Sequence, residues 1–437
     1  MPIPQIVILG GGFAGVAAAR RLEARLRDGE ASITLVSRDN FTLFTPMLPE
    51  VCSGGIETRH IVSPVRAQLR RTQYVLGEIH HIDLDAQRVD LQHTITGTKM
   101  TLAFDHLVLA LGSVTSTFNI PGVAERSLPL KTIEDAETLR NRIIATLELA
   151  DVAVDPVERA RLLSYAVVGG GYTGCEAVGE LSDLFGSISR YYKTIRPDEI
   201  KISLVEAGSK LLPDLPARMG EYTTEHLRKQ GISLEIGDGV ALVDEAGITL
   251  ASGRRIETST VIWSAGVRPA PAVLELPVEH ARNGGIFSER DMQVRGRPGV
   301  WALGDCAWIP TAKADTWYPP TAQHAIREGP ALADNIIATL RGMPTKPFDF
   351  TALGTMASLG GRRGVVAFPN GFILTGFFAW VLWRSYYLAR LPGWDRRLRV
   401  TFDWTLDLFF SRDIAEFRVY TERSQQMAAV SAGLVPK

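Results

Sequence analysis

Residues 5–15 read QIVILGGGFAG: an apolar run leads directly into glycines at positions 10, 12 and 15. The arrangement returns about one domain later, where Ala166-Val167-Val168 leads into Gly169, Gly171 and Gly174. In such a turn the first glycine allows the tight bend, the second lets the backbone approach a diphosphate, and the third lets helix and strand pack closely. The diphosphate lies at the helix N-terminus, where free N–H groups and the helix dipole favour negative charge. One match is weak evidence, whereas two matches predict two dinucleotide sites in one chain.

The composition restricts the class of protein. The chain has 437 residues, which suggests two or three domains. Its formal net charge is −1, so nothing points to a nucleic-acid partner. Cys52, Cys175 and Cys306 lie far apart without a CxxC spacing, which argues against a disulfide framework and a zinc site, and we expect no bound metal. The first strand begins close to Met1, which predicts no targeting peptide and folding in a reducing cytoplasm.

Strand and helix patterns alternate around the two glycine turns. A helix over 13–27 and short strands over 74–112 follow the first turn, and a second strand–helix–strand unit occupies roughly 163–266. The apolar run 300–303 then returns as a late strand that ends at Gly304-Asp305. This order predicts an α/β fold with two Rossmann-like domains, one inserted into the other. The predicted boundaries are 1–120 and 290–350 for the first domain, 121–289 for the inserted one, and 351–437 for a C-terminal region with a loose tail from about 424.

The residue that ends each unit's second strand reports on ribose recognition, because a carboxylate there accepts hydrogen bonds from both ribose hydroxyls. In the second unit it is Glu206, 37 positions after Gly169 rather than the usual ~20, and a detour over 182–199 accounts for the excess. A glutamate would repel a 2′-phosphate, which favours NADH over NADPH; the alternative is a solvated charge at a strand end. In the first unit it is Ser37, which can still bond a ribose, and Arg38 could lie over the adenine.

A dinucleotide domain that is interrupted by a second one and completed by a late strand ending in Gly-Asp resembles the two-dinucleotide flavoprotein reductases. The resemblance implies FAD on the first glycine turn, NADH on the inserted domain, and contact of Asp305 with the ribityl or phosphate region of the flavin. That family usually has Glu or Asp where this chain has Ser37. The residues expected at FAD are Gly10, Gly12, Phe13, Ala14, Gly15, Ser37, Arg38, Pro46, Ala110, Gly112, Gly304, Asp305, Gln323, His324 and Ala325. Those expected at NADH are Gly169, Gly171, Tyr172, Thr173, Gly174, Glu176, Glu206, Ala265 and Gly266.

Four further segments resemble the type II NADH dehydrogenases, which are single-chain, non-pumping NADH:quinone oxidoreductases. They are Phe44–Glu50, Leu109–Ser113, Pro129–Ala136 and Val261–Arg268, and the likeness runs from residue 5 to about 420. The most specific piece, over 321–329, matches that family's quinone-site pattern of Ala-Gln, an alanine two residues on and a closing glycine. The family usually has a second glutamine where this chain has Arg327.

This resemblance implies a reaction and three catalytic residues. A hydride passes from NADH to FAD, and a membrane quinone is then reduced by two electrons without proton pumping. Gln323 and Arg327, four apart on a helix face, would line the quinone pocket; the alternative for Arg327 is an exposed arginine paired with Glu328 or solvent. Glu176 matches a glutamate beside the nicotinamide, and the alternative is a first-turn carboxylate stabilised by the helix dipole.

Aromatic and basic residues are concentrated near the C-terminus. The apolar run 372–388 has 17 residues and contains Arg384, so it is short of the ~20 needed to span a bilayer. Aromatic residues with arginines suit a membrane interface and anionic headgroups. The following stretch 400–408 fits a strand or a helix, and the resemblance favours a membrane-binding helix; dimer formation or core packing is the alternative. We therefore expect a peripheral protein of the respiratory chain on the cytoplasmic face of a bacterial inner (plasma) membrane, and a homodimer.

Two other functions use the same fold. Cys52 lies roughly where single-cysteine NADH peroxidases and coenzyme A disulfide reductases keep a redox thiol. A paired-cysteine reductase is excluded because Cys52 has no cysteine four or five residues away, and a sulfide:quinone oxidoreductase would need two cysteines at the flavin. A flavin- and NAD-binding redox sensor is the non-enzymatic alternative, against which the quinone-site pattern and the aromatic C-terminal region argue.

Overall fold

The computed structural model describes residues 2–416, and the predicted tail from about 424 lies outside them. The strands are β1 Gln5–Leu9, β2 Ser32–Ser37, β3 Phe41–Leu43, β4 Val62–Pro64, β5 Gln73–Asp83, β6 Arg88–His93, β7 Lys99–Ala103, β8 His106–Leu109, β9 Ser113–Thr115, β10 Leu128–Pro129, β11 Ser164–Val168, β12 Lys201–Glu206, β13 Ser233–Ile236, β14 Val240–Asp244, β15 Gly247–Leu250, β16 Arg255–Glu257, β17 Thr260–Trp263, β18 Val267–Pro269, β19 Ile286–Phe287, β20 Val300–Ala302, β21 Ala307–Trp308, β22 Thr355–Ser358, β23 Gly364–Ala367 and β24 Ile373–Gly376.

The helices follow the same order of the chain. They are α1 Phe13–Arg25, α2 Leu48–Cys52, α3 Val65–Gln68, α4 Val123–Arg126, α5 Ile133–Val152, α6 Pro156–Leu162, α7 Tyr172–Ile188, α8 Ala217–Lys229, α9 Pro271–Leu274, α10 Ala322–Leu340, α11 Phe377–Arg390 and α12 Trp394–Leu406. Short 3₁₀ turns lie at Thr45–Met47, Thr58–His60, Ser189–Tyr191, Pro197–Glu199 and Gly304–Cys306.

Unit one is built on a seven-stranded sheet in the order β20-β8-β1-β2-β5-β6-β7. The strands from β20 to β5 are parallel, and β6 and β7 extend the sheet antiparallel. The late strand pairs with β8, Trp301 opposite Val108, which confirms that the first Rossmann-like domain is completed from far along the chain. Helix α10 packs on α1 so closely that a Cβ on Gly329 would lie 2.6 Å from the carbonyl oxygen of Ala14. Only glycine allows that approach of two helix backbones.

Unit two contains a parallel five-stranded sheet in the order β10-β17-β11-β12-β13. Its central strand β11 is buried along its whole length and leads into the second glycine turn and α7. The predicted detour over 182–199 is partly wrong, because α7 continues to Ile188 and only the following turns interrupt the unit. An antiparallel sheet, β22-β23-β24, precedes α11 and packs against it.

The two compact units differ from the predicted domains at three segments: 44–61, 267–289 and the C-terminal region, which is part of unit two rather than a separate region. Unit one comprises Met1–Leu43, Val62–Val114 and Val267–Ala352, and unit two comprises Phe44–Ile61, Thr115–Gly266 and Leu353–Lys437, as far as these residues are described. The stretch after 267 joins unit one because Val273, Leu276 and Ile286 are buried in that unit's core. The segment 44–61 joins unit two because α2 packs on α5 and α7.

The C-terminal helices α11 and α12 belong to unit two. Helix α12 confirms the helical interpretation of 400–408, with Val400 and Trp404 buried on one face. Large apolar residues one turn apart are exposed on its other face: Trp394, Leu398, Phe402 and Leu406. Among the described residues, no helix is long and apolar enough to span a bilayer.

Candidate active site

The first glycine turn has the geometry that its sequence predicts. Gly10 has φ +120°, and a Cβ there would lie 2.1 Å from the carbonyl oxygen of Ala110. A Cβ on Gly15 would lie 2.0 Å from the carbonyl oxygen of Gly10, so helix and strand are in contact. A Cβ on Gly12, the residue directly before α1, would meet no atom within 4 Å. The turn therefore leaves open space at a helix N-terminus, the cradle that a dinucleotide diphosphate requires.

The second turn repeats this geometry in unit two. Gly169 has φ +111°, and a Cβ there would lie 2.8 Å from the backbone nitrogen of Ala265. A Cβ on Gly174 would lie close to the carbonyl oxygen of Gly169 and 2.9 Å from the Ser264 hydroxyl. Gly171 directly precedes α7, and a Cβ on it would meet no atom within 4 Å. Each unit thus carries one such cradle.

Glu206 ends β12 beside the second turn. Its carboxylate accepts the backbone N–H of Gly170 at 2.6 Å and that of Gly208 at 2.5 Å. These bonds hold the side chain in place, so the carboxylate is not a freely solvated charge at the end of a strand. The ribose contact stays a prediction, and it would use the same two oxygens.

The corresponding residues of unit one are smaller or more exposed. Ser37 ends β2, and its hydroxyl would lie 2.6 Å from a Cβ on Gly11, so the serine lies against the first turn. Arg38 is exposed and its guanidinium lies 3.5 Å from the Asp39 carboxylate. Arg38 directly follows Ser37, and its partner here is a surface ion pair, so the adenine contact stays a prediction.

Asp305 follows β20 at the predicted flavin contact. The Ser113 hydroxyl donates to its carboxylate at 2.6 Å, and the preceding Gly304 donates its N–H to the Glu328 carboxyl at 2.7 Å. Glu328 is only 2% exposed, and burial raises its pKa to about 7. Sequence reasoning missed this glutamate as a residue that holds the Gly-Asp turn, because its partner is 24 positions away.

The predicted quinone residues lie in the first turns of α10, in unit one. His324 is buried, its Nδ1 lies 2.7 Å from the Thr321 hydroxyl, and burial together with the Arg327 charge lowers its pKa. The guanidinium of Arg327 lies over the Phe350 ring and donates to the carbonyl of Gln323. The suggested pairing of Arg327 with Glu328 is wrong, because the Glu328 carboxyl is buried against Gly304.

The remaining predicted residues divide between the units according to the expected cofactor, with one exception. Phe13, Ala14, Gly112 and Ala325 lie in unit one with the first turn, and Tyr172, Thr173, Ala265 and Gly266 lie in unit two with the second. Pro46, expected at FAD, lies in a 3₁₀ turn of unit two. All of these assignments to ligands stay predictions.

Glu176 is buried and lies beyond the first turn of α7, so the alternative of a first-turn carboxylate stabilised by the helix dipole is wrong. It lies one turn into α7 with 7% of its surface exposed, and its Oε1 accepts the backbone N–H of Ser358 at 3.1 Å and the indole N–H of Trp383 at 3.0 Å. Burial raises its pKa to about 8. A carboxyl in this state holds a proton at neutral pH.

Sequence reasoning missed the ion pairs that surround Glu176. Glu50, 3% exposed, accepts from Arg384 at 3.0 Å and from the Trp404 indole at 3.2 Å. Arg412 lies 3.1 Å from the carboxylate of Glu180 and donates to Asp407. The sequence carries no signal for these pairs, because they join residues 232 to 354 positions apart, except Asp407 with Arg412.

The three cysteines are buried and their thiols are protonated. Cys52 donates its S–H to the carbonyl of Pro49, and burial raises its pKa. Burial likewise raises the pKa of Cys175, and that of Cys306 to about 12. A redox thiol needs an accessible thiolate, so these environments disfavour the cysteine-based alternatives.

Comparison with known proteins agrees with these two cradles and the C-terminal helices. The model of the family described as pyridine nucleotide-disulphide oxidoreductase matches residues 4–329, and that of the NDH2 C-terminal domain matches 353–413. The type II NADH:quinone oxidoreductase Ndh of Mycobacterium tuberculosis is 32% identical over 93% of this chain and 89% of its own. The external NADH-ubiquinone oxidoreductase 2 of Saccharomyces cerevisiae mitochondria is 30% identical over 94% of this chain and 82% of its own.

Solved structures share the fold. NDH2 from Plasmodium falciparum, solved with NADH, has a TM-score of 0.86 at 24% identity and covers 94% of this chain and 99% of its own. The sulfide:quinone oxidoreductase of Aquifex aeolicus has a TM-score of 0.71 at 18% identity, over 93% and 95% of the two chains. The chain therefore belongs to the pyridine nucleotide-disulphide oxidoreductase family and, within it, to the type II NADH:quinone oxidoreductases.

Proposed function

We propose that this chain oxidises NADH and reduces a membrane quinone by two electrons. The observation that carries the proposal is the pair of open helix N-termini, at Gly12 in unit one and Gly171 in unit two, in a chain that ends in an NDH2 C-terminal domain. One reaction uses both cradles: NADH, a proton and a quinone become NAD⁺ and a quinol. Relatives named for NADH or NAD(P)H and for a quinone support this reaction.

The residues of unit one fit FAD. The cradle at Gly12 suits the diphosphate, Ser37 suits a ribose hydroxyl, and Asp305 suits the ribityl or phosphate region. When bound, the flavin supplies the two-electron chemistry that separates hydride donation from quinone reduction. In unit two the cradle at Gly171 would bind the diphosphate of NADH, and Glu206 its adenine ribose.

Glu176 is proposed to donate the proton that the reaction consumes. The hydride from NADH carries two electrons and one proton, so a second proton must come from the protein or solvent to complete the quinol. A buried carboxyl whose pKa is raised to about 8 is protonated at neutral pH and can donate it. Gln323 and Arg327 on α10 are proposed to contact the quinone oxygens, where the arginine would stabilise developing negative charge.

The exposed apolar residues of α11 and α12 support attachment to a membrane. Phe378, Leu398 and Phe402 are each more than half exposed, and Arg390 and Arg399 lie on the same two helices. Aromatic and basic side chains together favour the interface of an anionic bilayer, where the quinone is dissolved. Attachment to the cytoplasmic face of a bacterial inner membrane and a homodimer remain parts of this proposal.

A matched pair of glycine variants tests the assignment of the NADH cradle. Gly171 directly precedes α7 and Gly186 lies near its end, and a Cβ added at either position meets no protein atom within 4 Å. We expect Gly171→Ala to raise KM for NADH by about tenfold or more, since the methyl group occupies the space of the diphosphate. Gly186→Ala should leave KM unchanged, and both should retain extractable FAD. Equal KM values in the two variants, or no quinone-dependent NADH oxidation by the wild type, would contradict the proposal.

A further inference from the structure

The two N–H groups that donate hydrogen bonds to Glu176 both bind the same carboxyl oxygen. Ser358 donates from its backbone on β22 and Trp383 from its indole on α11, and each reaches Oε1 rather than Oε2. The Trp383 ring is only 1% exposed and lies edge-on to Tyr387 with the ring centres 4.9 Å apart, so the indole has no freedom to turn away. The two carboxyl oxygens of Glu176 therefore have different surroundings, since both N–H groups point at Oε1.

This asymmetry decides where a proton on Glu176 resides. A neutral carboxyl has one O–H donor and one carbonyl-type acceptor. Because two N–H groups already point at Oε1, a hydrogen on that oxygen would face two other hydrogens. The acid is stable only when its O–H is on Oε2 and Oε1 accepts in both protonation states.

We propose that Trp383 is a positioning residue for Glu176: its indole N–H reserves Oε1 as an acceptor, so that the exchangeable proton of Glu176 is held on Oε2. The inference rests on the proposed function for the use made of that proton, but the position of the proton follows from the contacts alone. Through this hydrogen bond, a residue of α11 acts directly on the Glu176 carboxyl of α7.

Neighbouring residues hold α11 in the position that this contact requires. The Arg384 guanidinium lies 4.3 Å from the centre of the Trp380 ring and 4.5 Å from that of Trp404, and it pairs with Glu50. Consecutive residues of α11 therefore bind two buried carboxylates, Trp383 that of Glu176 and Arg384 that of Glu50. The position of the indole is set by an ion pair and two ring contacts besides its own hydrogen bond.

Several charged and titratable groups also act on Glu176. Burial raises its pKa, the two N–H donors oppose that rise, and the charges of Glu50 and Glu180 add to it. The titratable groups that face it from the packed elements are Tyr172, Cys175 and Glu180 on α7, Glu50 on α2 and Tyr387 on α11. The cations Arg384 and Arg412 lie against Glu50 and Glu180 and act on Glu176 through those carboxylates. The indole N–H favours the ionised form, so its removal should raise the pKa further.

Infrared titration of the holoenzyme without NADH or quinone measures this effect. The band of the protonated carboxyl is assigned to Glu176 by its loss in Glu176→Gln. In Trp383→Phe, which keeps an aromatic ring beside Tyr387, we expect the midpoint of that band to rise by about one pH unit, because a donor to the ionised form is lost. The matched control is Trp380→Phe on the same helix, which keeps an aromatic ring beside Arg384 and removes no hydrogen bond to Glu176, so its midpoint should equal that of the wild type.

Each other result overturns the inference: no titrating Glu176 band, a midpoint that falls or stays constant in Trp383→Phe, or equal shifts in Trp383→Phe and Trp380→Phe. If Trp383→Phe does not fold, Trp383→Gln keeps an N–H donor and Trp383→Leu removes it. The glutamine midpoint should then lie below the leucine midpoint, and equal midpoints overturn the inference. Full quinone turnover in Glu176→Gln would contradict the proposed role of Glu176 as proton donor. It would not bear on the position of the proton, which the infrared titration tests separately.

Discussion

The guanidinium carbon of Arg327 lies 4.3 Å from the centre of the Phe350 ring, and its Nη1 donates to the backbone carbonyl of Gln323 at 2.8 Å. The side chain is therefore folded onto its own helix and stacked on an aromatic ring, rather than extended into solvent. A stacked guanidinium has other N–H groups available for an acceptor such as a quinone oxygen. Arg327 thus remains a candidate for the quinone site, with a defined resting position.

The first prediction concerns this arginine. We expect Arg327→Ala to lower kcat with a short-chain quinone by about tenfold or more, since a cation near developing negative charge acts mainly in the transition state. Arg327→Gln, which keeps an N–H donor and matches the residue usual at this position, should retain more of the turnover. The rate at which NADH bleaches the bound flavin, measured by stopped flow, should stay unchanged in both. If neither Arg327→Ala nor Gln323→Ala changes quinone turnover, the quinone site is not on α10.

The second prediction concerns nucleotide choice. Because the Glu206 carboxylate ends β12 beside the second glycine turn, it should repel the 2′-phosphate of NADPH, and NADH should have the higher kcat/KM. Glu206→Gln should lower the ratio of kcat/KM for NADH to kcat/KM for NADPH by about tenfold, because the repulsion of the 2′-phosphate is lost. Glu235→Gln on the neighbouring strand β13 is a control of equal charge change, and its preference should match that of the wild type. A wild type that prefers NADPH would contradict the role of Glu206.

The third prediction uses the raised pKa of Glu328. A carboxyl with a pKa of about 7 when folded and an ordinary value when unfolded stabilises the fold fully at acid pH, and this contribution is lost as the pH rises through about 7. Glu328→Gln keeps an acceptor for the Gly304 N–H but cannot ionise. We therefore expect Tm to fall less, or to rise more, from about pH 5 to about pH 8 in the variant than in the wild type. Equal differences would show that Glu328 stays neutral, or is ionised, over that whole range.

The fourth prediction concerns Cys52. Its thiol is buried, donates to the Pro49 carbonyl and has a raised pKa, so it cannot act as a thiolate. Cys52→Ser should keep NADH:quinone turnover within about twofold and cost roughly 1 kcal/mol of stability, since a hydroxyl replaces a sulfur in a close-packed site. Loss of turnover with flavin still bound and Tm little changed would revive a thiol-based function.

The fifth prediction concerns membrane attachment. Phe402 is 64% exposed and Leu398 69% exposed, one turn apart on the outer face of α12. The double variant Leu398→Ser/Phe402→Ser should weaken sedimentation with anionic liposomes by about tenfold or more without lowering Tm, because apolar area that inserts into the interface is lost.

The matched control for that experiment is Val154→Ser/Val157→Ser, which removes exposed apolar groups elsewhere in unit two. Its liposome binding should equal that of the wild type, and equal loss in both double variants would show that the contact is unspecific. Truncation before Phe372 is a poorer test, because it removes Arg384 and Arg412 and leaves Glu50 and Glu180 buried without their cations.

Local patterns in the sequence predicted much of the fold. Gly10 and Gly169 adopt the positive φ that their place after a buried strand requires, and each is followed by the predicted helix. The late strand at Val300 joins the first sheet as its terminal Gly-Asp indicated. The domain boundaries were less predictable, since the segment 44–61 packs with α5 and α7 of unit two although it follows the first unit in sequence.

What the sequence alone determined is therefore the class of cofactor and the place of each cradle, because a glycine turn between a strand and a helix is specified within about ten residues. Tertiary structure alone decided the protonation of the carboxyls. The pKa of Glu176 is raised because the fold buries it against β22 and α11, and Glu50 is paired because Arg384, 334 positions later, lies beside it. Solvation and charge pairing depend on distance in space, and neighbouring residues in the sequence do not report that distance.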